Sequence, residues 1–126
     1  MSLSILVAED NGVFRDALKE LLEQEGYTVA VCETGTAGLK HSSLDSVDLV
    51  IADLIMPELD GLDLIRNLDR LRPDLKVIAI SGDFTRQLQR SAALLGVKAT
   101  LQKPFSSDEL FRTIRSVVTA RANRYH

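Results

Sequence analysis

The sequence contains few of the residues from which disulfides, metal–thiolate cages and membrane spans are built. Among its 126 residues are one cysteine, three prolines and no tryptophan. A single cysteine, Cys32, can form neither an internal disulfide nor a thiolate metal cage, which favours a reducing, cytoplasmic setting. No apolar run approaches the roughly 20 residues that cross a bilayer, and the first residues lack the basic-then-apolar layout of a secretory signal, so no membrane partner is expected.

A large excess of charge of one sign is absent as well. Fifteen Lys and Arg residues stand against 18 Asp and Glu residues, for a formal net charge of -3. This balance argues against a basic surface across the whole domain, so direct binding to nucleic acid is not expected. Because 45% of the residues are apolar, a chain of this length should bury one hydrophobic core and form one domain, residues 1–126.

The sequence does contain a regular alternation of short apolar runs and segments with helical spacing. Apolar runs predict five strands, at Ile5–Ala8, Tyr27–Cys32, Val47–Ala52, Val77–Ile80 and Val97–Gln102. The segments between and after them predict five helices. The first lies between Asn11 and Gly26 and the second around Thr36–Ser43. The third runs through Leu64–Leu71, the fourth through Leu88–Leu95 and the fifth through Leu110–Val118. The second of these helices has the weakest pattern.

Residues with known capping preferences predict where the helices begin and end. Asn11 is the expected N-cap of the first helix, and Gly26 stands where that helix should end. Pro73 ends the third helix, and Ser106 with Glu109 forms a capping box ahead of the last one. The predicted inward stripe of the first helix is Val13, Phe14, Ala17, Leu18, Leu21 and Leu22. The stripe predicted for the third helix is Leu64, Ile65, Leu68 and Leu71.

This strict strand-then-helix order predicts the fold class. Nearly continuous apolar strands indicate a sheet that is covered on both faces, and right-handed crossovers make it an open, doubly wound parallel sheet. We therefore predict an α/β fold of the flavodoxin-like (βα)5 type, with five strands in the order 2-1-3-4-5. A closed eight-fold barrel would need about twice this length.

Polar residues follow four of the predicted strands at one edge of that sheet, where such folds bind ligands. They are Glu9, Asp10, Asp53, Ser81 and Lys103. Three converging carboxylates repel one another unless a cation lies between them. Ligands that are all oxygen favour Mg2+ or Ca2+, and so small a number of carboxylates favours Mg2+, which keeps several waters. With Lys103 and Ser81 as donors to an anion, the set predicts a phosphoryl-transfer site whose nucleophile is Asp53.

These residues stand in motifs that resemble the receiver domain of two-component response regulators. The motifs are Glu9-Asp10, Asp53 followed by Met56-Pro57 and Asp60-Gly61, Ser81-Gly82, and Lys103-Pro104-Phe105. The similarity covers essentially the whole chain. Each motif alone is weak evidence, but the set is specific.

The resemblance implies a phosphorelay function. A histidine kinase or phosphotransfer protein would pass a phosphoryl group to Asp53 in a Mg2+-dependent step. The ion would be bound by Glu9, Asp10, Asp53 and the main-chain carbonyl of Ile55, with the longer Glu9 acting through a water. Lys103 would pair with the acceptor carboxylate or the phosphoryl group.

The resemblance also implies how the site would act as a switch. Ser81 would hydrogen-bond a phosphoryl oxygen, Pro104 would follow a cis peptide bond, and Ile55 and Asp83 would line the route of the hydrolytic water. The domain would assist its own phosphorylation and dephosphorylation without being an enzyme in its own right. Where the family usually has an aromatic residue three positions before the lysine, this sequence has Thr100, so the usual aromatic–hydroxyl coupling is put in question.

The output of such a switch would lie outside this chain. Phosphorylation would shift the surface formed by the fourth helix, fifth strand and fifth helix between two arrangements. This surface would bind an effector domain or protein, or a second copy of the chain in a phosphorylation-dependent homodimer. No effector domain is expected after Val118.

Three alternatives to a phosphorylated receiver would use a similar sheet. An aspartyl-phosphate phosphatase needs a general acid two positions after its nucleophile, where this chain has Ile55. A flavin-binding domain needs a phosphate-cradling loop after the first strand, where Glu9-Asp10-Asn11 would repel phosphate. A receiver-shaped docking module that is never phosphorylated stays open because of Thr100. Asp60-Gly61 is predicted to be a turn without a chemical role, and Thr100 is predicted to be a packing residue.

Overall fold

The computed structural model describes residues 3–34, 37, 44–55, 61–83 and 85–119. The strands are β1 (Ser4–Ala8), β2 (Thr28–Cys32), β3 (Leu49–Asp53), β4 (Lys76–Ser81) and β5 (Ala99–Gln102). The described helices are α1 (Gly12–Gln24), α2 (Gly61–Leu71), α3 (Arg86–Leu94) and α4 (Ser107–Thr119), with a 3-10 turn at Leu44–Ser46. They correspond to the first, third, fourth and fifth predicted helices. The second predicted helix, 36–43, lies outside the described residues except for Ala37.

All five strands pair in parallel, in the order β2-β1-β3-β4-β5. This confirms the predicted fold class and strand order. The register places Ala8 beside Ala52, Asp53 beside Ile80 and Ser81 beside Gln102. The residues that end β1, β3, β4 and β5 therefore lie along one edge of the sheet, with β3 in the middle.

The sheet separates two apolar layers. One layer contains Leu6, Val50 and Ala52 and is covered by α2 and α3. The other contains Ile5, Val7 and Ile51 and is covered by α1 and α4. Because successive side chains of a strand point to opposite faces, β3 is buried at every position from Leu49 to Asp53. An acid at the end of β3 is thus held on a strand that is buried throughout and lies in the middle of the sheet.

Local sequence signals fix the helix ends as predicted. The N–H of Phe14 donates to Asn11 Oδ1 at 3.0 Å, which makes Asn11 the N-cap of α1. Gly26 follows the end of that helix with a φ of 93°, in the left-handed region that favours glycine. The N–H of Glu109 donates to Ser106 Oγ at 3.0 Å, and the N–H of Ser106 reaches Glu109 Oε1 at 3.4 Å. This pair is the predicted capping box.

Some positions of the predicted stripes are wrong. Val13 is 85% exposed and Ala17 is exposed, whereas Leu18 and Leu22 are buried. At 100° per residue, Val13 lies about 140° around the helix from Leu18, so the two cannot share a buried face. Leu71 is 57% exposed at the last residue of α2. None of the helices in the described part of the chain has the length and hydropathy of a transmembrane span.

Candidate functional site

The edge at which β1 and β3 end brings three carboxylates together. Glu9 follows β1 and is fully buried, Asp53 ends β3 at 6% exposure, and Asp10 is exposed. Each contributes an oxygen atom, and these oxygens all lie within 4.8 Å of one another. The clustering predicted from strand-end positions is therefore present in the structure.

Lys103, the residue that follows β5, contacts two of these acids. Its Nζ donates to Glu9 Oε1 at 2.5 Å and to Asp53 Oδ2 at 2.9 Å. The Lys103 side chain is 22% exposed, so both ion pairs are largely withdrawn from water. The backbone N–H of Lys103 donates to the carbonyl of Ser81 at 2.8 Å, which aligns the end of β5 with β4. The Lys103–Pro104 peptide bond is cis.

Backbone groups satisfy the remaining oxygens of the two buried acids. The N–H of Asn11 donates to Glu9 Oε2 at 3.1 Å, and the N–H of Ile55 donates to Asp53 Oδ1 at 2.9 Å. Each carboxylate thus accepts one hydrogen bond from Lys103 and one from the loop that follows its own strand. Such an arrangement fixes the side-chain rotamers and leaves the direction of each oxygen defined.

Burial and hydrogen bonding change the pKa values of Glu9 and Lys103. Burial raises the pKa of Glu9 to about 7, although the hydrogen bonds from Lys103 and Asn11 oppose the rise, and the charge of Asp53 adds to it. Burial alone would lower the pKa of Lys103, but its hydrogen bonds to Glu9 and Asp53 outweigh burial and raise it. Lys103 therefore stays cationic, while the raised pKa of Glu9 leaves that carboxyl partly protonated at neutral pH.

Ser81 and Ile55 both lie near Asp53, since Ser81 ends the neighbouring strand β4 and Ile55 is two residues after Asp53. Ser81 is the last residue of β4, is 1% exposed, and its Oγ accepts a hydrogen bond from the N–H of Asp83 at 3.3 Å. Ile55 directs its N–H to Asp53, and its side chain is 64% exposed. Among the described residues, the Ser81 hydroxyl forms hydrogen bonds only with the backbone of Asp83, so it can change partner at low cost.

The donor chemistry of the acidic cluster fits a small hard cation. Mg2+ binds oxygen at about 2.0–2.1 Å, so ligands on opposite sides of the ion lie about 4.2 Å apart. Oxygens of Glu9, Asp10 and Asp53 within 4.8 Å of one another match this spacing after small side-chain movements. The cluster contains no nitrogen or sulfur ligand, which favours Mg2+ over a transition metal.

Three residues at the site were not predicted from the sequence. The ring of Phe14 lies under the Lys103 ammonium, with 4.4 Å between Nζ and the ring centroid. Arg15 Nη1 donates to the backbone carbonyl of Glu9 at 3.0 Å. Gly61 begins α2, and a Cβ on it would stand 2.2 Å from the carbonyl oxygen of Asp53. The helical stripe includes Phe14, but neither spacing nor composition indicates its contact with residue 103.

Two further sequence predictions have different outcomes. Gly61 is the first residue of α2 and packs against the end of β3, so the predicted turn is wrong at this residue, while Asp60 lies outside the described residues. Met56 and Pro57 lie outside them too. That Gly61 has no chemical role stays a prediction. Thr100 is exposed on β5, so its predicted packing role is wrong, because β5 is an edge strand and only Leu101 is buried in it.

Comparisons with known proteins agree with this geometry. A family model described as the response regulator receiver domain matches residues 5–115. The response regulator receiver protein CpdR of Brucella abortus is 31% identical over 116 residues, which cover 92% of this chain and 97% of CpdR. The response regulator MprA of Mycobacterium ulcerans is 30% identical over 118 residues, which cover 94% of this chain and 51% of MprA. The chain thus spans about half the length of MprA and nearly all of CpdR.

A solved structure gives the same answer for the fold. The crystal structure of a CheY-like receiver domain protein from Methanospirillum hungatei JF-1 superposes with a TM-score of 0.90 at 25% identity and covers 98% of both chains. The family match covers most of the sequence, including all of the five strands except Ser4, and the acids Glu9, Asp10 and Asp53. This chain belongs to the receiver domains of two-component response regulators.

Proposed function

We propose that Asp53 is the phosphoacceptor of this receiver domain and that its donor is a phosphohistidine on a histidine kinase or phosphotransfer protein. The observation that carries the proposal is the contact of Lys103 Nζ with Asp53 Oδ2 at 2.9 Å. Asp53 ends β3 and Lys103 follows β5, so the fold brings together residues that are 50 positions apart in the sequence. The result is a nearly buried carboxylate beside a fixed cation. Such a pair suits a nucleophile that must approach a negatively charged phosphoryl group.

The proposed step is an in-line displacement at phosphorus. An oxygen of the Asp53 carboxylate attacks, a P–O bond forms, and the P–N bond of the donor breaks with its electron pair left on the histidine nitrogen. Lys103 balances charge on the carboxylate before the transfer and on the phosphoryl oxygens after it. The Ser81 hydroxyl, which donates to the Asp83 carbonyl at 3.5 Å, would donate to a phosphoryl oxygen instead and draw its loop with it.

Glu9, Asp10, Asp53 and the carbonyl of Ile55 would hold Mg2+ at this site. When bound, the ion neutralises charge on the phosphoryl group and on the acids around it. Glu9 already has both oxygens hydrogen-bonded within the protein. Because Glu9 is also fully buried, we expect it to bind the ion through a water, whereas the exposed Asp10 can bind it directly.

The proposed output is a change of partner. Hydrogen bonding of Ser81 to the phosphoryl group would shift the loop between β4 and α3, and with it the surface of α3, β5 and α4. An effector domain or protein outside this sequence, or a second copy of the chain, would bind that surface. Position 100 on β5 carries an exposed threonine instead of an aromatic residue. No aromatic side chain at that position could therefore swing inward when the loop moves.

The acceptor role is tested by phosphorylation with a small acyl phosphate and Mg2+, followed by intact mass measurement. The wild type is expected to gain one phosphoryl group, and Asp53→Asn to gain none, because the amide has no nucleophilic oxygen anion. Asp16→Asn is the matched control, since Asp16 is an exposed acid on α1. If the wild type gains no phosphate even with donor, Mg2+ and kinase, the domain is a docking module instead.

The metal site is tested by titrating Mg2+ into wild type and Asp10→Ala and measuring heat. Loss of a carboxylate that binds the ion directly should weaken Mg2+ binding at least about tenfold. Asp16→Ala should bind as the wild type does. Equal affinity in wild type and Asp10→Ala would exclude Asp10 as a ligand, and phosphorylation that continues in excess chelator would exclude the metal step.

A further inference from the structure

The Lys103 ammonium contacts three side chains, which are the carboxylates of Glu9 and Asp53 and the ring of Phe14. We propose that Phe14 is a positioning residue for phosphoryl transfer, whose ring face holds the Lys103 ammonium between Glu9 and Asp53. The proposal rests on the acceptor function proposed above for Asp53. It adds a residue from α1 that supplies neither a metal ligand nor a hydrogen bond from its side chain.

The contact has the geometry of a cation–π interaction. Lys103 Nζ lies 4.4 Å from the centroid of the Phe14 ring, well inside the roughly 6 Å over which such contacts are attractive. The lysine side chain is only 22% exposed, so water competes weakly for the ammonium. Two of its three N–H groups point to carboxylates, and the aromatic face covers another side of the charge.

A closed circuit of contacts fixes the ring relative to the lysine. Lys103 donates to Glu9 Oε1, and Glu9 Oε2 accepts from the N–H of Asn11. The side chain of Asn11 in turn accepts from the N–H of Phe14, and the Phe14 ring returns to Lys103. The N-cap that starts α1 therefore also sets the distance between the ring and the acid that share the ammonium.

Phe105 supports the ring from the loop that carries Lys103. The Phe14 and Phe105 rings meet edge to face, with centroids 5.7 Å apart and an interplanar angle of 88°. This is a favoured arrangement for aromatic pairs. Since Phe105 is two residues after Lys103, the loop after β5 contacts the Phe14 ring through two side chains, Lys103 and Phe105.

A ring suits this place better than either an acid or an aliphatic side chain. The site already contains Glu9, Asp10 and Asp53, and a fourth carboxylate would increase their mutual repulsion. An aliphatic side chain would fill the volume but would not attract the cation. The electron-rich face of Phe14 attracts the ammonium without adding a charge, and it leaves Lys103 able to follow the phosphoryl group once Asp53 carries it.

The test compares Phe14→Leu, which removes the aromatic face, with Phe14→Tyr, which keeps it. With a small acyl phosphate and saturating Mg2+, Phe14→Leu should be phosphorylated about three- to thirtyfold more slowly, and Phe14→Tyr close to the wild-type rate. Mg2+ affinity should be unchanged in both. Phe111→Leu is the matched control, because Phe111 packs on the same apolar layer from α4.

A second measurement reads the contact without phosphorylation. In an NMR spectrum of protein labelled with 13C-lysine, the Lys103 ε-methylene protons should resonate upfield, because their carbon is bonded to the Nζ that lies 4.4 Å from the Phe14 ring centroid. The Lys103→Arg variant, which lacks the signal, assigns it. The shift should vanish in Phe14→Leu and persist in Phe14→Tyr and Phe111→Leu.

The outcomes separate this inference from the acceptor function. A Phe14→Leu rate equal to that of the wild type, or a Lys103 signal without the upfield shift in the wild type, overturns the positioning role. An equal loss of rate in Phe111→Leu also overturns it, since any aromatic deletion in that layer would then suffice. If the wild type accepts no phosphate, the acceptor function fails, and the lysine signal alone decides whether the ring holds the ammonium.

Discussion

Raising the pH from about 4.5 to about 7 should lower the free energy of unfolding of the metal-free protein by about 3 kcal/mol through Glu9 alone. Burial raises the pKa of this carboxyl from 4.5 to about 7 in the folded state. In the unfolded chain the same group is solvated and ionises near its ordinary value. Each pKa unit of difference corresponds to about 1.4 kcal/mol.

The sign follows from which state holds the proton. Between the two pKa values the folded protein keeps a proton on Glu9 and the unfolded chain has lost it, so a rise in pH draws the equilibrium towards the unfolded state. The stability that Glu9 contributes is therefore complete below about pH 4.5 and is lost by about pH 7. This direction is opposite to that of an ordinary salt-bridged carboxylate, whose pKa is lowered by folding.

Urea unfolding at a series of pH values, in the presence of a chelator, measures this effect. Glu9→Gln should remove most of the fall in stability across the interval, because its amide does not titrate. The quantity to compare is the slope with pH, since the amide also changes the hydrogen bonds to Lys103 and Asn11. Glu33→Gln is the matched control, an exposed acid that follows β2. A slope that is the same in Glu9→Gln and wild type would contradict the prediction.

The cost of Glu9 explains why it is informative about function. A buried acid with so unfavourable an ionisation weakens the fold at neutral pH, and an apolar residue in its place would pack without that penalty. Proteins retain such groups mainly at functional sites, where local stability is given up for chemistry. The same acid holds Lys103 just after the end of β5, next to the carboxylate of Asp53 on β3.

The fold could be predicted because its main determinants are local. Apolar runs such as 49–52 and 77–80 are too short for helices and too continuous for half-exposed strands, so they predict a covered parallel sheet. Once the strands are parallel, the residues that follow them must share one edge. Asp53, Ser81 and Lys103 could therefore be placed together without any knowledge of distances.

The contacts around these residues could not be predicted, because they join elements that the sequence pattern treats separately. Helical spacing places Phe14 on the inner side of α1, but its position under Lys103 depends on where the loop after β5 places the lysine relative to the start of α1. The exposure of Val13 shows the same limit, since a run of apolar residues at a helix start does not reveal which one faces the sheet. The role of Arg15 is invisible in the sequence because its partner is a backbone carbonyl.

Gly61 presents the clearest case of a contact that sequence spacing conceals, and Gly61→Ala should destabilise the protein by about 3 kcal/mol or more. A Cβ at this position would stand 2.2 Å from the Asp53 carbonyl oxygen and 2.3 Å from the Leu54 Cα. Both are backbone atoms at the end of the central strand, so no side chain can turn away. To reach an ordinary contact, α2 or the strand end must move by about 1 Å.

Gly12→Ala provides the matched control, because Gly12 also begins a helix, and its Cβ would meet only the end of the Arg15 side chain at 3.4 Å. That change should be neutral or stabilise by up to about 1 kcal/mol, since alanine loses less chain entropy than glycine on folding. Urea unfolding of the two variants separates the steric effect at Gly61 from the general effect of replacing a glycine. The displaced strand end in Gly61→Ala should also slow phosphorylation at Asp53, because a shift of 1 Å at a nucleophile is enough to spoil in-line attack. If Gly61→Ala is as stable as Gly12→Ala, the close contact between the start of α2 and the end of β3 does not constrain the fold, and the prediction is wrong.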